Sequence, residues 1–131
     1  MARREYLKGD ARQRERAYSP AVKINGGTTI YLAGQTGYQD ERGESYPNNF
    51  DGQARVAFER MRKTLETAGA KLDDIVTMTV FITDMANGTR FTQLRKEFFK
   101  ESSYPASALI GIKELARPEM MIEIQAIAVV D

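Results

Sequence analysis

The sequence predicts an α+β fold, a mixed β-sheet with two helices on one face, and three observations carry that prediction. Residues 75–82 (IVTMTVFI) and 122–130 (IEIQAIAVV) are rich in β-branched side chains and largely apolar at both alternating sets of positions, as strands buried on both sides are. From residue 50 the apolar period lengthens: Ala54, Ala57, Phe58, Met61, Leu65 and Ala68 recur at three- and four-residue steps, with Arg55, Glu59, Arg60, Arg62, Lys63 and Glu66 opposite, an amphipathic helix. The chain also falls into two halves of similar grammar, each with strand material around one such helix. A helix with one apolar stripe has one face to bury, so both belong on the same side of the sheet.

In chain order, residues 5–8 carry a weak strand signal. Residues 12–16 are too charged to be buried, and the charged segment 1–16 reads as a solvated, flexible N-terminal segment or as a phosphate-binding arm. Residues 21–24, Asn25-Gly26-Gly27 and the β-rich run 28–33 give a hairpin signal, since Asn-Gly supplies the positive φ angles of a tight turn. Gly34 ends the second of these strands, either as a plain terminator or as a point where another group approaches the backbone. Residues 37–49 form a polar loop, long for a connection, that predicts a lid or an interface arm.

The first helix stops at Gly69. The Asp73-Asp74 pair is a turn, residues 75–82 are a central strand, and a second helix over residues 88–101 places Phe91, Leu94 and Phe98 on one stripe. Tyr104-Pro105 breaks it and leads into a strand over residues 106–112. A polar connection through Arg117-Pro118, where Arg117 reads as a solvated surface residue, precedes the last strand.

Alternation in that last strand puts Ile122, Ile124, Ala126, Ala128 and Val130 on one face and Glu123, Gln125, Ile127 and Val129 on the other. Glu123 therefore lies where an ionised carboxylate needs a partner or goes neutral, which makes it the first candidate for chemistry. An edge strand with a wet polar face, or a structural ion pair, accounts for it equally at this point. The sheet face away from the helices presents Phe81, Ile127 and Val129 with no third helix to cover it, which predicts self-association and clefts between subunits.

Composition narrows the chemistry. At 131 residues the chain is expected to be one domain. It has no Cys and no His, which excludes thiolate nucleophiles, disulfides, histidine acid–base catalysis and Ser-His-Asp triads. Nineteen Lys and Arg against eighteen Asp and Glu leave a net charge of +1, arguing against strong attraction to nucleic acid or anionic membranes. No apolar run reaches the length of a membrane span or a signal peptide, so the expectation is a soluble, cytoplasmic protein.

From Tyr18 onward the chain resembles the reactive-intermediate deaminase family, also called Rid or YjgF. The resemblance rests on six segments in order: SPAVKI (19–24), IYLAGQ (30–35), QAR (53–55), AGAKLDDIVTMTVFITD (68–84), YPAS (104–107) and IEIQAIAV (122–129). It implies a chorismate-mutase-like α+β fold and a homotrimer whose sheets form a central barrel, with small-molecule clefts between subunits. It implies hydrolysis of enamines and imines such as 2-aminoacrylate to 2-oxo acids and ammonia, without cofactor or metal. Carried over residue by residue, Glu123 positions or activates water, and Gly34, Gln35, Ser107, Leu109 and Tyr18 line the substrate site.

The chain departs from the family pattern at the substrate clamp. Where typical members carry an Arg that grips the substrate carboxylate in a bidentate fork, this chain has Ser107. Losing such a contact costs roughly 2 to 5 kcal/mol, about a hundredfold or more in binding, which disfavours the usual small 2-imino acid. Ala33 replaces a common Ser, Leu109 a Cys, and Pro20 a Tyr, with Tyr18 two residues earlier. Three readings follow: a cofactor-free deaminase or hydrolase of a different enamine, imine or related compound; a non-catalytic ligand-binding or sensor protein; and, with least support, an RNA-directed endoribonuclease or translation inhibitor.

Overall fold

The computed structural model describes residues 2–131. Its centre is a four-stranded mixed sheet in the order β3-β6-β4-β5, where β3 is Thr28–Thr36, β4 Ile75–Ile82, β5 Ala106–Gly111 and β6 Ile122–Val130. β6 runs antiparallel to both β3 and β4, and β5 is parallel to β4. The long helix α2 (Phe50–Thr67) and the shorter α3 (Gly88–Arg95) cover one face. Phe58, Met61, Leu65, Phe91 and Leu94 of these helices and Met78, Val80, Ile82, Ile122, Ile124 and Ala126 of the sheet are all buried in a single core. Phe58 stacks against Phe98 at 4.6 Å and meets Phe99 edge-on at 5.8 Å, which ties the end of the second helical region to α2.

Two cross-helix ion pairs frame this layer from outside. Arg90 grips Asp51 with contacts of 2.7 to 3.1 Å, and Arg55 holds Glu97 at 2.9 and 3.1 Å.

Four expectations are corrected. The proposed hairpin does not form: β2 (Val22–Asn25) pairs with β1 (Arg3–Tyr6), while β3 pairs with β6. Gly26 and Gly27 do adopt positive φ, 76° and 83°, but the turn sends the chain from a small two-stranded sheet into the main one. The charged N-terminal segment is built into the fold. Besides β1, it contains a short helix α1 (Ala11–Glu15) started by an Asp10–Gln13 capping box, and Arg4 pairs with Asp74 at 2.9 Å.

The second helix ends at Arg95 instead of continuing to residue 101, because the chain there tightens into turns that bury Phe99 and Tyr104. Gly34 does not end its strand: β3 continues to Thr36 through a bulge between Leu32 and Gln35.

The polar loop 37–49 is closed on itself: Asp40 accepts from the Arg42 and Glu44 amides and the Tyr46 hydroxyl. Behind it, the buried Gln53 donates to the Tyr46 and Glu119 carbonyls and accepts from the Met121 amide, all at 2.9 Å. One amide side chain therefore fixes the loop and the entry to β6, two residues before Glu123.

Candidate functional site

Glu123 sits half-buried on β6, opposite Thr36 of β3 and Phe81 of β4. Its neighbours Ile122 and Ile124 point into the helix-covered core, so the Glu123 side chain belongs to the open face of the sheet. The bulge in β3 lies beside it. A Cβ added to Gly34 would collide with the Glu123 carboxylate, coming within 2.8 Å of Cδ. Gly34 is thus the open side of a small recess that the carboxylate fills. Gln35 follows the bulge, half-buried and opposite Ile124.

The other expected site residues gather elsewhere. Ser19 donates its amide to the Pro105 carbonyl at 3.0 Å and bridges to Ala106, which lays Tyr18 beside the start of β5. Tyr18, Ser107 and Leu109 then line one cleft of about 280 Å³, together with Arg12, Arg16, Met85, Thr92 and Arg95. Ser107 pairs with the buried Met78 and Leu109 with the buried Val80, so this cleft opens on the helix side of the sheet.

Arg95, on the last turn of α3, is the largest fully buried side chain, only 2% exposed. Its Nη1 donates to Ser107 Oγ at 2.6 Å and its Nη2 to the Arg16 carbonyl at 2.9 Å. The guanidinium carbon lies 5.0 Å from the Phe91 ring centre, a cation–π contact. Nε is buried with no hydrogen-bond partner. No carboxylate neutralises this cation, and burial, followed by repulsion from Arg16, pushes its pKa down to about 10. A guanidinium therefore touches the hydroxyl of Ser107.

One chain does not bring the two groups together. Glu123 and Ser107 lie on opposite faces, with β4 between their strands.

Sequence reasoning missed Arg95, Arg12 and Arg16 as lining residues. Arg95 lies beside the charged residues Lys96 and Glu97, and its burial depends on the segment before Tyr18 folding over it. The cleft-lining side chains of Arg12 and Arg16 depend on α1, for which the Asp10…Gln13 spacing was the available signal. Arg117 is exposed as expected, 5.5 Å from the Tyr38 ring centre. No helix among the described residues is long and apolar enough to cross a membrane.

Comparison with known proteins places the chain among relatives of one family. A 2-iminobutanoate/2-iminopropanoate deaminase from Dermatophagoides farinae is 33% identical over 114 residues, 87% of this chain and 86% of that protein. A RutC family protein from Aquifex aeolicus is 35% identical over 112 residues, covering 84% of this chain and 87% of that one. Among solved structures, the Rid-family protein YyfB from Yersinia pestis superposes with a TM-score of 0.86 at 25% identity, covering 97% of this chain and 98% of that one. RidA from an Antarctic Psychrobacter gives 0.72 at 28% identity, covering 96% and 99%. The family model described as endoribonuclease L-PSP matches residues 9–130, and the chain belongs to that family, the Rid or YjgF proteins.

Proposed function

We propose that this protein is a deaminase of an enamine or imine other than the standard small 2-imino acid, working in clefts between the subunits of a homotrimer. The observation that carries the reading is the recess at the β3 bulge, where Gly34 leaves room for the Glu123 carboxylate on the sheet face away from the helices. In the proposed step Glu123 accepts a proton from water as its oxygen adds to the C=N carbon. That proton goes to nitrogen to give a carbinolamine, whose hydroxyl proton Glu123 then passes to the nitrogen as the carbon–nitrogen bond breaks, giving a carbonyl compound and ammonia. Backbone groups at the bulge hold the substrate beside it, while Tyr18, Ser107 and Leu109 shape the other wall; Gln35, opposite the core-facing Ile124, is turned to the helix side.

The trimer is supported by the uncovered sheet face. Tyr31 is 78% exposed there and Ile110 40%, beside half-buried Ile127 and Phe81. Because the Ser107 cleft opens on the helix side, a shared site needs the β5 edge of one copy to meet the Glu123 face of another.

A binding or sensor role has one specific observation in its favour: the cleft at Ser107 contains no acid of its own chain. The test is ammonia release from freshly generated enamines and imines of varied side chain, with the parent protein and Glu123→Gln. Turnover by the parent that falls by about a hundredfold or more in the variant, at unchanged oligomeric state, supports the deaminase. No turnover across the panel with saturable ligand binding favours the sensor, and equal turnover by both proteins rejects Glu123 as the catalytic group.

A further inference from the structure

We propose that the cleft between α1, α3 and β5 is a binding site for a doubly charged small-molecule anion, held by Arg95, Arg16 and Arg12 with the Ser107 hydroxyl. Three guanidinium-bearing side chains line it, and no carboxylate does. The remaining polar lining groups, Tyr18, Thr92 and Ser107, are hydroxyls able to donate to an oxyanion. The site is built, not a chance run of surface charge. Arg95 is fully buried, fixed by Ser107 Oγ and the Arg16 carbonyl, and braced on Phe91.

Its hydrogen bonding is also incomplete. A guanidinium offers five N–H donors; Nε is buried and has no partner. A buried cation without a counter-ion is costly, and the repulsion from Arg16 adds to that cost. An anion in the cleft offsets the uncompensated positive charge.

Charge balance sets the class of ligand. A monocarboxylate neutralises one of three cations. Under the proposed deaminase reading, on which only this step rests, Glu123 of a second copy supplies one negative charge across the interface, and two positive charges are still unmatched. A dianion closes the balance: a phosphate monoester, which carries about −1.5 to −2 near neutral pH, or a dicarboxylate. The volume of about 280 Å³ admits such a head group. Ser107 fits the same account. A guanidinium at residue 107 would crowd the place Arg95 now fills from α3, so the chain has moved the cation instead of deleting it.

The experiment is calorimetric or NMR titration of the whole protein with inorganic phosphate, succinate and acetate at low and moderate salt. Phosphate or succinate is expected to bind at least tenfold more tightly than acetate, with affinity falling as salt rises. Phosphate ahead of succinate identifies the phosphate monoester; succinate ahead of phosphate identifies the dicarboxylate. Arg16→Gln is expected to weaken the dianion about tenfold and Arg12→Gln, which is exposed, about threefold. Neither variant touches the backbone carbonyl that Arg95 uses, so both test the site without depending on the buried residue.

Arg95→Lys should retain less affinity than the parent even where it folds, because an ammonium cannot reproduce the fork. Acetate binding as tightly as the dianions, no saturable binding of any of the three, or dianion binding unaffected by both Arg16→Gln and Arg12→Gln overturns the proposal. Dianion binding without turnover of any enamine leaves this site intact and removes the deaminase reading. Turnover of a monoanionic enamine at a rate indifferent to Arg16→Gln and Arg12→Gln, with no dianion binding, does the reverse.

Discussion

The Glu123 carboxylate occupies the space that a side chain at residue 34 would need, with a Cβ on Gly34 falling within 2.8 Å of Glu123 Cδ. Gly34 has no positive φ, so its value lies in this contact and not in backbone freedom. Gly34→Ala should therefore swing the carboxylate aside at a cost of about 1 kcal/mol or less, because the obstructing group is the far end of a flexible side chain. Activity should fall at least tenfold, since a displacement of this size misplaces the reacting group. Kinetics beside a thermal melt check this; parental activity in Gly34→Ala would show that the position of Glu123 at the bulge is immaterial.

Gln53 makes three hydrogen bonds from a fully buried position, to Tyr46, Glu119 and Met121. Gln53→Ala strands those backbone groups, for an expected loss of about 2–4 kcal/mol. Because Met121 leads into β6, amide exchange should rise at the loop 37–49 and at the start of β6 before it rises in α2. Uniform exchange across the fold would mean that the residue supports the core only in general.

Ser107→Arg would supply the Arg that the family resemblance implies at this position and is expected to do harm. The incoming guanidinium meets Arg95, whose Nη1 already lies 2.6 Å from Ser107 Oγ, so steric crowding and like charge add. A destabilisation of about 1–3 kcal/mol is expected, with no gain on 2-aminoacrylate. In a double-mutant cycle with Arg95→Ser the two changes should couple by about 0.5 kcal/mol or more. Additive effects would show that the two positions are independent.

The parts of the fold legible in the sequence are those set by local periodicity. α2, β4 and β6 followed from apolar spacing alone, and Glu123 followed from alternation, because each is decided by neighbours two to four residues away. The hairpin was misread since Asn25-Gly26-Gly27 specifies a turn but not a partner; β3 finds better burial beside β6 than beside β2. Arg95 was illegible for a related reason. An arginine at the end of a helix reads as solvated unless the chain folds back over it, and here the segment before Tyr18 does so through the Ser19–Pro105 bond and the Arg16 carbonyl.

Asp51 and Glu97 titrate below the usual carboxylate range, in each case chiefly through the hydrogen bonds from Arg90 and Arg55, respectively. A lowered folded pKa means stabilisation that is present above about pH 4, the ordinary carboxylate range, and lost as pH falls through the folded value. Asp51→Asn should therefore flatten the acid limb of a stability profile below about pH 4, while changing the neutral-pH melt little, since both partners are exposed to solvent. An unaltered acid limb would mean that the pair forms equally in the unfolded chain.

The open sheet face bears on assembly and site together. Tyr31 lies directly opposite Ile127 on β6, and Thr77 of β4 faces the same Ile127, so a change here perturbs a patch and no core residue. Tyr31→Glu introduces a charge at a position 78% exposed in the single chain and should leave monomer stability within about 0.5 kcal/mol. If copies associate through this face, burying that charge disfavours the assembly by several kcal/mol, and light scattering should show a shift toward monomer. Under the proposed reading, activity should then fall with the assembly, because Glu123 and the Ser107 cleft lie on opposite faces of one chain. An assembled Tyr31→Glu protein would exclude this surface as the interface, and an active monomer would require that one chain hold the whole site.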